Sequence, residues 1–259
     1  MTFEWIVILL GLVIGSFLNV VIHRLPLEKS IVRPGSACPS CGRAIRWHEN
    51  LPLIGFLMLR GKCGGCGAHI SWRYPLVEFL TAFLFWASFR GLPLSTFAIL
   101  SQLRIWAFLA IGIAVVFIDL DHRIIPDELS LGGWVLGALT SYWDFRNGMP
   151  SLLLASLAGF GFFYLTALAY EKATGRSGLG GGDIKYMGTI GVFLGFGGLW
   201  SSIMISSFVG VAVGLIFARF FAGPDKQENV MKLAIPYGPF LVIGAFVELF
   251  FEVSRWISP

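Results

Sequence analysis

Apolar stretches long enough to enter a lipid bilayer recur along the whole chain, and they constrain its fold more than any other feature. They run over about 4–23, 76–92, 103–120, 128–144, 151–170, 186–198, 199–220 and 236–253. A membrane helix needs about 20 mostly apolar residues. Of the 259 residues 56% are hydrophobic and 13% charged, against about 25% charged in soluble domains. A water-soluble fold has too little polar surface here, and disorder, collagen and coiled coil are excluded because charge and repeat are both missing. The expectation is an all-α polytopic membrane protein of about eight transmembrane helices. The 32 glycines suit helices packed through small residues. Trp5, Trp106, Trp134, Trp143, Trp200 and Trp256 fall mostly near the stretch ends, as interfacial aromatic belts do. No basic segment precedes the first stretch and no small-residue cleavage site follows it, so it is expected to be a retained helix.

Charge placement orients the bundle. The segment 24–75 holds Arg24, Lys29, Arg33, Arg43, Arg46, Arg60, Lys62 and Arg73, and alternation puts Arg123, Lys172, Arg176, Lys185, Arg219, Lys226 and Lys232 on the same side. Only Arg90, Arg104, Arg146 and Arg255 fall on the other. Fifteen of the 19 Lys and Arg residues thus share one face. The positive-inside rule makes that face cytoplasmic and puts both termini outside. The chain then divides into a first helix (1–23), a cytoplasmic loop (24–75) and a transmembrane core (76–259).

All four cysteines lie in that loop, as Cys38-Pro-Ser-Cys41-Gly42 and Cys63-Gly-Gly-Cys66-Gly67. Each CxxC wraps two thiolates around one metal, and the following glycine permits the positive φ such a knuckle needs. Four thiolates suit a closed, structural Zn²⁺ site resembling a zinc ribbon. Two disulfides are the alternative, disfavoured in a reducing compartment. Zinc would staple a loop with few large apolar residues of its own.

Carboxylates near span ends are functional candidates. Asp119 closes the third stretch, and Asp121 lies two positions on, about 200° around a helix, so only one of them readily faces the bundle. A solvated or Arg123-paired role suits Asp121, and a helix N-cap suits Asp127 after Pro126. The second candidate is Asp183 in Gly178-Leu-Gly180-Gly181-Gly182-Asp183-Ile-Lys185, a run dense enough in glycine for close backbone approach. It lacks the GKS or GKT of a phosphate loop. Asp119 and Asp183 come from different spans on one side of the membrane. Such a pair can share a proton and do aspartic-peptidase chemistry, or bind a cation or relay protons in a transporter. A non-catalytic assembly protein docking through its zinc loop is a third class. HExxH is absent, since Pro52 stands where the second His belongs, and no His follows His122 to serve Ser177 as a nucleophile. Arg24, His23, Asn19 and Glu78 are polar residues near span ends, with Arg24 suited to interfacial anchoring and Glu78 to pairing with Arg24 or Arg73.

In their order along the chain these segments resemble the type IV prepilin peptidases, membrane aspartic peptidases of the GxGD kind. The resemblance runs through Gly15–Pro26, the two CxxC pairs, Ser71–Glu78, Ile118–Asp127, Gly180–Lys185 and Ile235–Phe240, nearly the whole length. It implies removal of the basic leader from prepilins or pseudopilins at the cytoplasmic face of the bacterial inner membrane. It also implies methylation of the new N-terminus with S-adenosylmethionine. It assigns Asp119 and Asp183 as catalytic, with Asp119 preferred to Asp121 because the related archaeal preflagellin peptidases use the first Asp of the run. Gly180, Gly182, Lys185, Glu78 and Arg24 are then substrate or support residues. Prepilins and the bilayer are the expected partners, and nucleic acid is not.

Overall fold

A backbone without water must bond to itself, and the apolar stretches are helical over most of their described residues. The structure, a computed structural model, describes residues 2–89, 95–144, 147–175, 178–221 and 236–252. Arg90, Arg146, Arg176, Ser177, Lys226, Lys232, Ile235, Arg255 and Trp256 lie outside them. The helices are α1 (Thr2–Arg24), α2 (Ile54–Met58), α3 (Arg73–Phe89), α4 (Thr96–His122), α5 (Asp127–Thr140), α6 (Met149–Thr174), α7 (Gly181–Phe221) and α8 (Gly238–Phe251). Among the described residues β structure is limited to two isolated bridges, Ala37–Ala44 and Lys62–His69. Phe3–Leu27, Thr96–His122, Met149–Thr174 and Gly181–Ile216 are long and apolar enough to cross a membrane. With α3 at 17 residues and α5 and α8 at 14 each, length and hydropathy mark four crossings among the described residues, and the shorter apolar helices leave the expected count of eight unconfirmed.

The chain forms two compact units, Met1–Ala114 and Val115–Pro259. In the first, α1 and α3 run antiparallel in backbone contact. Cβ atoms built at Gly11 and Gly15 would stand 2.5 Å from Ala82 Cα and 2.7 Å from Glu78 Cα. Asn19 Nδ2 adds a third rung by donating to Tyr74 O at 3.1 Å. On α4, Trp106 stacks on Phe85 at 5.1 Å and donates to Ser88 Oγ at 3.1 Å.

In the second unit α7 is central, packed on α5, α6 and α8. Gly191 abuts Ala155 and Ser156 of α6, Gly188 abuts Trp134 of α5, and Gly244 of α8 abuts Ser202 of α7. Thr189 Oγ1 donates to Ser130 O at 2.6 Å, joining α7 to α5. The sequence places a break at Gly197-Gly198; the break falls instead at Gly195, whose φ of +72° and ψ of −167° only glycine tolerates. The Asn147 side chain lies against that residue, where a Cβ would meet it at 3.1 Å. α7 also starts at Gly181, five residues before the apolar run, because its polar first turn carries Asp183 and Lys185 into the helix.

Candidate active site and metal centre

Asp119 sits in the last turn of α4, where the helix dipole disfavours a carboxylate. It is nevertheless buried, at 5% exposure, while Leu120 and Asp121 are exposed. Its Oδ2 accepts the Gly238 N–H at 2.9 Å. That N–H opens α8 and has no partner within its own helix, so Asp119 caps α8 from a separate helix. Room for this is tight: a Cβ at Gly238 would stand 2.8 Å from Asp119 Oδ2 and 3.3 Å from Ile125 Cδ1. Ile125 also contacts Gly182, where a Cβ would come within 2.9 Å of the Ile125 Cβ.

Asp183 is half-buried in the first turn of α7. Its carboxylate turns back to the Gly180 N–H, as the third residue of a capping box does. Oδ2 would lie 2.7 Å from any Cβ at position 180, so a side chain there would push the Asp183 carboxylate aside. Asp183 is close enough to Asp119 to feel the charge of its carboxylate. Two carboxylates, from the end of one helix and the start of another, thus meet beside Ile125, Gly182 and Gly238.

Other expected site residues have different partners. Asp127 is no N-cap: Pro126 holds that position, and Asp127 Oδ1 accepts from Lys185 Nζ at 2.7 Å. The pair ties α5 to the first turn of α7. Glu78 Oε2 accepts the Leu53 N–H at 2.8 Å, and Arg24 donates to the carbonyls of Ser30, Pro34 and Gly35 at 3.1, 2.7 and 3.1 Å. Arg24 therefore staples the loop rather than pairing with Glu78. Gly238 and Ile125 were legible only as members of a motif; a glycine between Tyr237 and Pro239, opening a helix, was the local signal.

The cysteine loop folds as two matching knuckles. Cys38 N–H bonds to Arg43 O and Gly42 N–H to Cys38 O, both at 2.9 Å; Cys63 N–H bonds to Ala68 O at 2.8 Å and Gly67 N–H to Cys63 O at 2.9 Å. Gly42 and Gly67 take φ of +70° and +74°, as the motif requires. The four thiols are unbridged, and their sulfurs lie within 4.8 Å of one another. Arg43 and Glu49, paired at 2.9 Å, lean on Gly64 and Gly65 and join the knuckles. Arg43, together with the Arg46 N–H, holds the Glu49 carboxyl below its ordinary range. Backbone N–H groups of Cys66 and Gly65 pull the Cys63 thiol down to about 6. The Ala68 N–H lowers Cys66 too, but the Cys41 sulfur, desolvation and the other sulfurs outweigh it and push that thiol up to about 11. A cluster of facing thiols is fully deprotonated when a cation binds it, so metal binding releases protons. The loop carries more apolar surface than expected: Trp47, Ile54, Leu57, Met58 and Trp72 are all exposed.

Residues 9–91 match the bacterial peptidase A24 N-terminal domain, and residues 106–215 match the type IV leader peptidase family. A Myxococcus xanthus protein named prepilin leader peptidase/N-methyltransferase is 38% identical over 92% of this chain and 71% of its own length. Proteins of the same name are 35% identical in Pseudomonas aeruginosa, over 93% of this chain and 88% of theirs, and 30% identical in Neisseria gonorrhoeae, over 95% and 90%. No solved structure matches significantly.

Proposed function

Because the chain belongs to the type IV leader peptidase family, we propose that Asp119 and Asp183 are the dyad with which it removes the leader of prepilins or pseudopilins. The chain is a prepilin peptidase and N-methyltransferase. The observation that carries the dyad is a buried carboxylate, placed against its helix dipole, within charge reach of a second one from another helix. Carboxylates brought close together in a site do not readily both ionise, and in the dyad proposed here they share one proton. The unprotonated one takes a proton from the attacking water while the protonated one donates to the scissile carbonyl. The Gly238 N–H fixes the rotamer of Asp119, and the Gly180 N–H that of Asp183. Lys185, held by Asp127, and Gly182, against Ile125, set the first turn of α7.

The substrate keeps its apolar helix in the bilayer and its basic leader in water, so the dyad belongs at the cytoplasmic face of the bacterial inner membrane. Reporters fused after residues 60, 122 and 178 are expected in the cytoplasm, and those after 148 and at the C-terminus outside. The warrant is the fifteen-to-four division of Lys and Arg. Placement of 122 and 178 on opposite sides would exclude the dyad.

Zinc is the metal proposed for the four thiols. Tetrahedral ligands with Zn–S of about 2.3 Å stand roughly 3.8 Å apart, and Cys38 and Cys66 Sγ are separated by 3.9 Å. S-adenosylmethionine supplies the methyl group when bound. A cavity of about 370 Å³ in the first unit has the size of a small-molecule site. Val20, Phe56 and Leu59 offer it apolar walls for the adenine, and Asn19, Arg24 and Glu78 offer polar groups for the amino-acid end.

Mass spectrometry of a prepilin peptide incubated with the purified protein and S-adenosylmethionine tests both activities. The wild-type chain should yield a cleaved, methylated product. Val20→Trp, which fills the cavity, should leave cleavage intact and lower methylation about tenfold or more. Equal methylation by the variant would remove the methyl donor from this cavity.

A further inference from the structure

The segment 51–59 was expected to be water-exposed loop, but three observations place it beside the membrane-spanning part of α1. The rungs Gly11 on Ala82, Gly15 on Glu78 and Asn19 on Tyr74 fix the register of α1 against α3. Gly15 lies nine residues inside the end of α1, about 13 Å at 1.5 Å per residue. The Leu53 N–H is bonded to Glu78, the partner of Gly15 in that register. Leu53 itself sits at φ +59°, ψ −46°, with Ile54 N–H bonded to Pro52 O at 2.6 Å, a tight γ-turn. A strained turn of this kind persists only where its surroundings hold it, and Glu78 supplies the hold.

The helix that follows has two faces. Gly55 is buried against Glu49 O, and Phe56 packs on Trp72 at 4.8 Å. Ile54, Leu57 and Met58, at i, i+3 and i+4, share the opposite face and are 54%, 69% and 65% exposed. Exposed Leu76 and Phe79 of α3 flank Glu78 in sequence, and Val13 and Phe17 of α1 flank Gly15. Exposed apolar side chains of α2 thus lie at the same level as exposed apolar side chains of α1 and α3. Arg60 and Lys62, both exposed, follow immediately and suit the headgroup region.

We propose that α2 is a re-entrant interfacial helix whose Ile54, Leu57 and Met58 face is covered by the lipid of the same bilayer that α1 spans. Lipid is favoured over a protein partner because the face lies at the level of the apolar, exposed side chains of α1 and α3 and is followed by cations at the headgroup end. Irregular backbone at membrane depth is tolerated where protein buries it or it lines a cavity; here Leu51, Phe56 and Leu59 line the cavity beneath α2. The inference depends on the membrane reading of α1 and not on the dyad or the methyl donor.

Photocrosslinking tests it in the full-length protein, reconstituted in phosphatidylethanolamine–phosphatidylglycerol vesicles. The photoreactive amino acid p-benzoylphenylalanine is placed by Leu57→p-benzoylphenylalanine, and separately at Met58. The reference is the same change at Leu9 of α1, which is 61% exposed. Adducts are identified by mass, and cleavage of a prepilin peptide confirms that each variant folds. If acyl chains cover α2, lipid adducts at 57 and 58 form within about twofold of the yield at Leu9. A lower yield, the result expected if water covers the face, overturns the proposal, as do adducts to a co-reconstituted prepilin in place of lipid. Two positions guard against misfolding of either variant, and the dyad is tested separately by Asp119→Asn and Asp183→Asn, whose outcome leaves the lipid adducts at 57 and 58 unaffected.

Discussion

Asp119→Asn and Asp183→Asn should each abolish leader removal in a protein that still inserts and folds. The amide keeps the shape of the carboxylate, and its oxygen can still accept the Gly238 N–H at position 119 or the Gly180 N–H at position 183. What it cannot do is hold and release the shared proton. General acid–base catalysis contributes about 10²–10⁴-fold, so cleavage should fall by at least about a hundredfold in either variant. Asp121→Asn should retain near wild-type cleavage, because Asp121 is exposed and points away from the buried side of α4. The measurement is the rate of appearance of mature peptide, normalised to protein extracted from membranes. Full cleavage by either single variant would sink the dyad; loss in Asp121→Asn with retention in Asp119→Asn would move it by two residues.

The second large effect concerns the cysteine loop. Purified, reduced protein should hold one zinc per chain, and a strong chelator should unfold residues 36–70 while the spans stay helical. Metal-site formation in small zinc domains contributes about 10–16 kcal/mol, far more than the Arg43–Glu49 pair can hold together alone. Cys38→Ser or Cys63→Ser should therefore lower the melting temperature sharply. Enzyme that survives should turn over normally, because a closed four-thiolate site has no open position for substrate. Thiol labelling before and after chelation reads the state of the loop directly. Absence of zinc from reduced protein, or four oxidised thiols in cells, would refute the site.

Much of this was visible in the residue order. Apolar length located the helices, CxxC-Gly spacing marked the two knuckles with their positive φ, and the offset of about 200° between Asp119 and Asp121 showed that only one of them faces the bundle, the choice of Asp119 coming from the family resemblance. The errors have a common cause: periodicity carries no information about partners distant in sequence. Pro126 followed by Asp127 reads as a cap, but Lys185, 58 positions away, takes the carboxylate. Glu78 reads as the partner of a nearby cation, whereas a backbone N–H from the loop reaches it first. Gly197-Gly198 reads as a hinge more strongly than Gly195, and only the packing of Asn147 distinguishes them. In the same way nothing local shows that Gly238 serves Asp119, 119 positions earlier.

That last bond gives one carboxylate two employments. Asp119 is at once the proposed acid–base group and the cap on a foreign helix, so removing the side chain altogether leaves the opening N–H of α8 without its acceptor, at a site where a lost cap costs about 1 kcal/mol. Asp183 caps only its own helix, through Gly180. An inactive form meant to capture an uncut prepilin is therefore better made with the amide than with alanine at position 119. Alanine there mixes lost chemistry with a loosened α8, and failure to retain substrate would no longer distinguish the two.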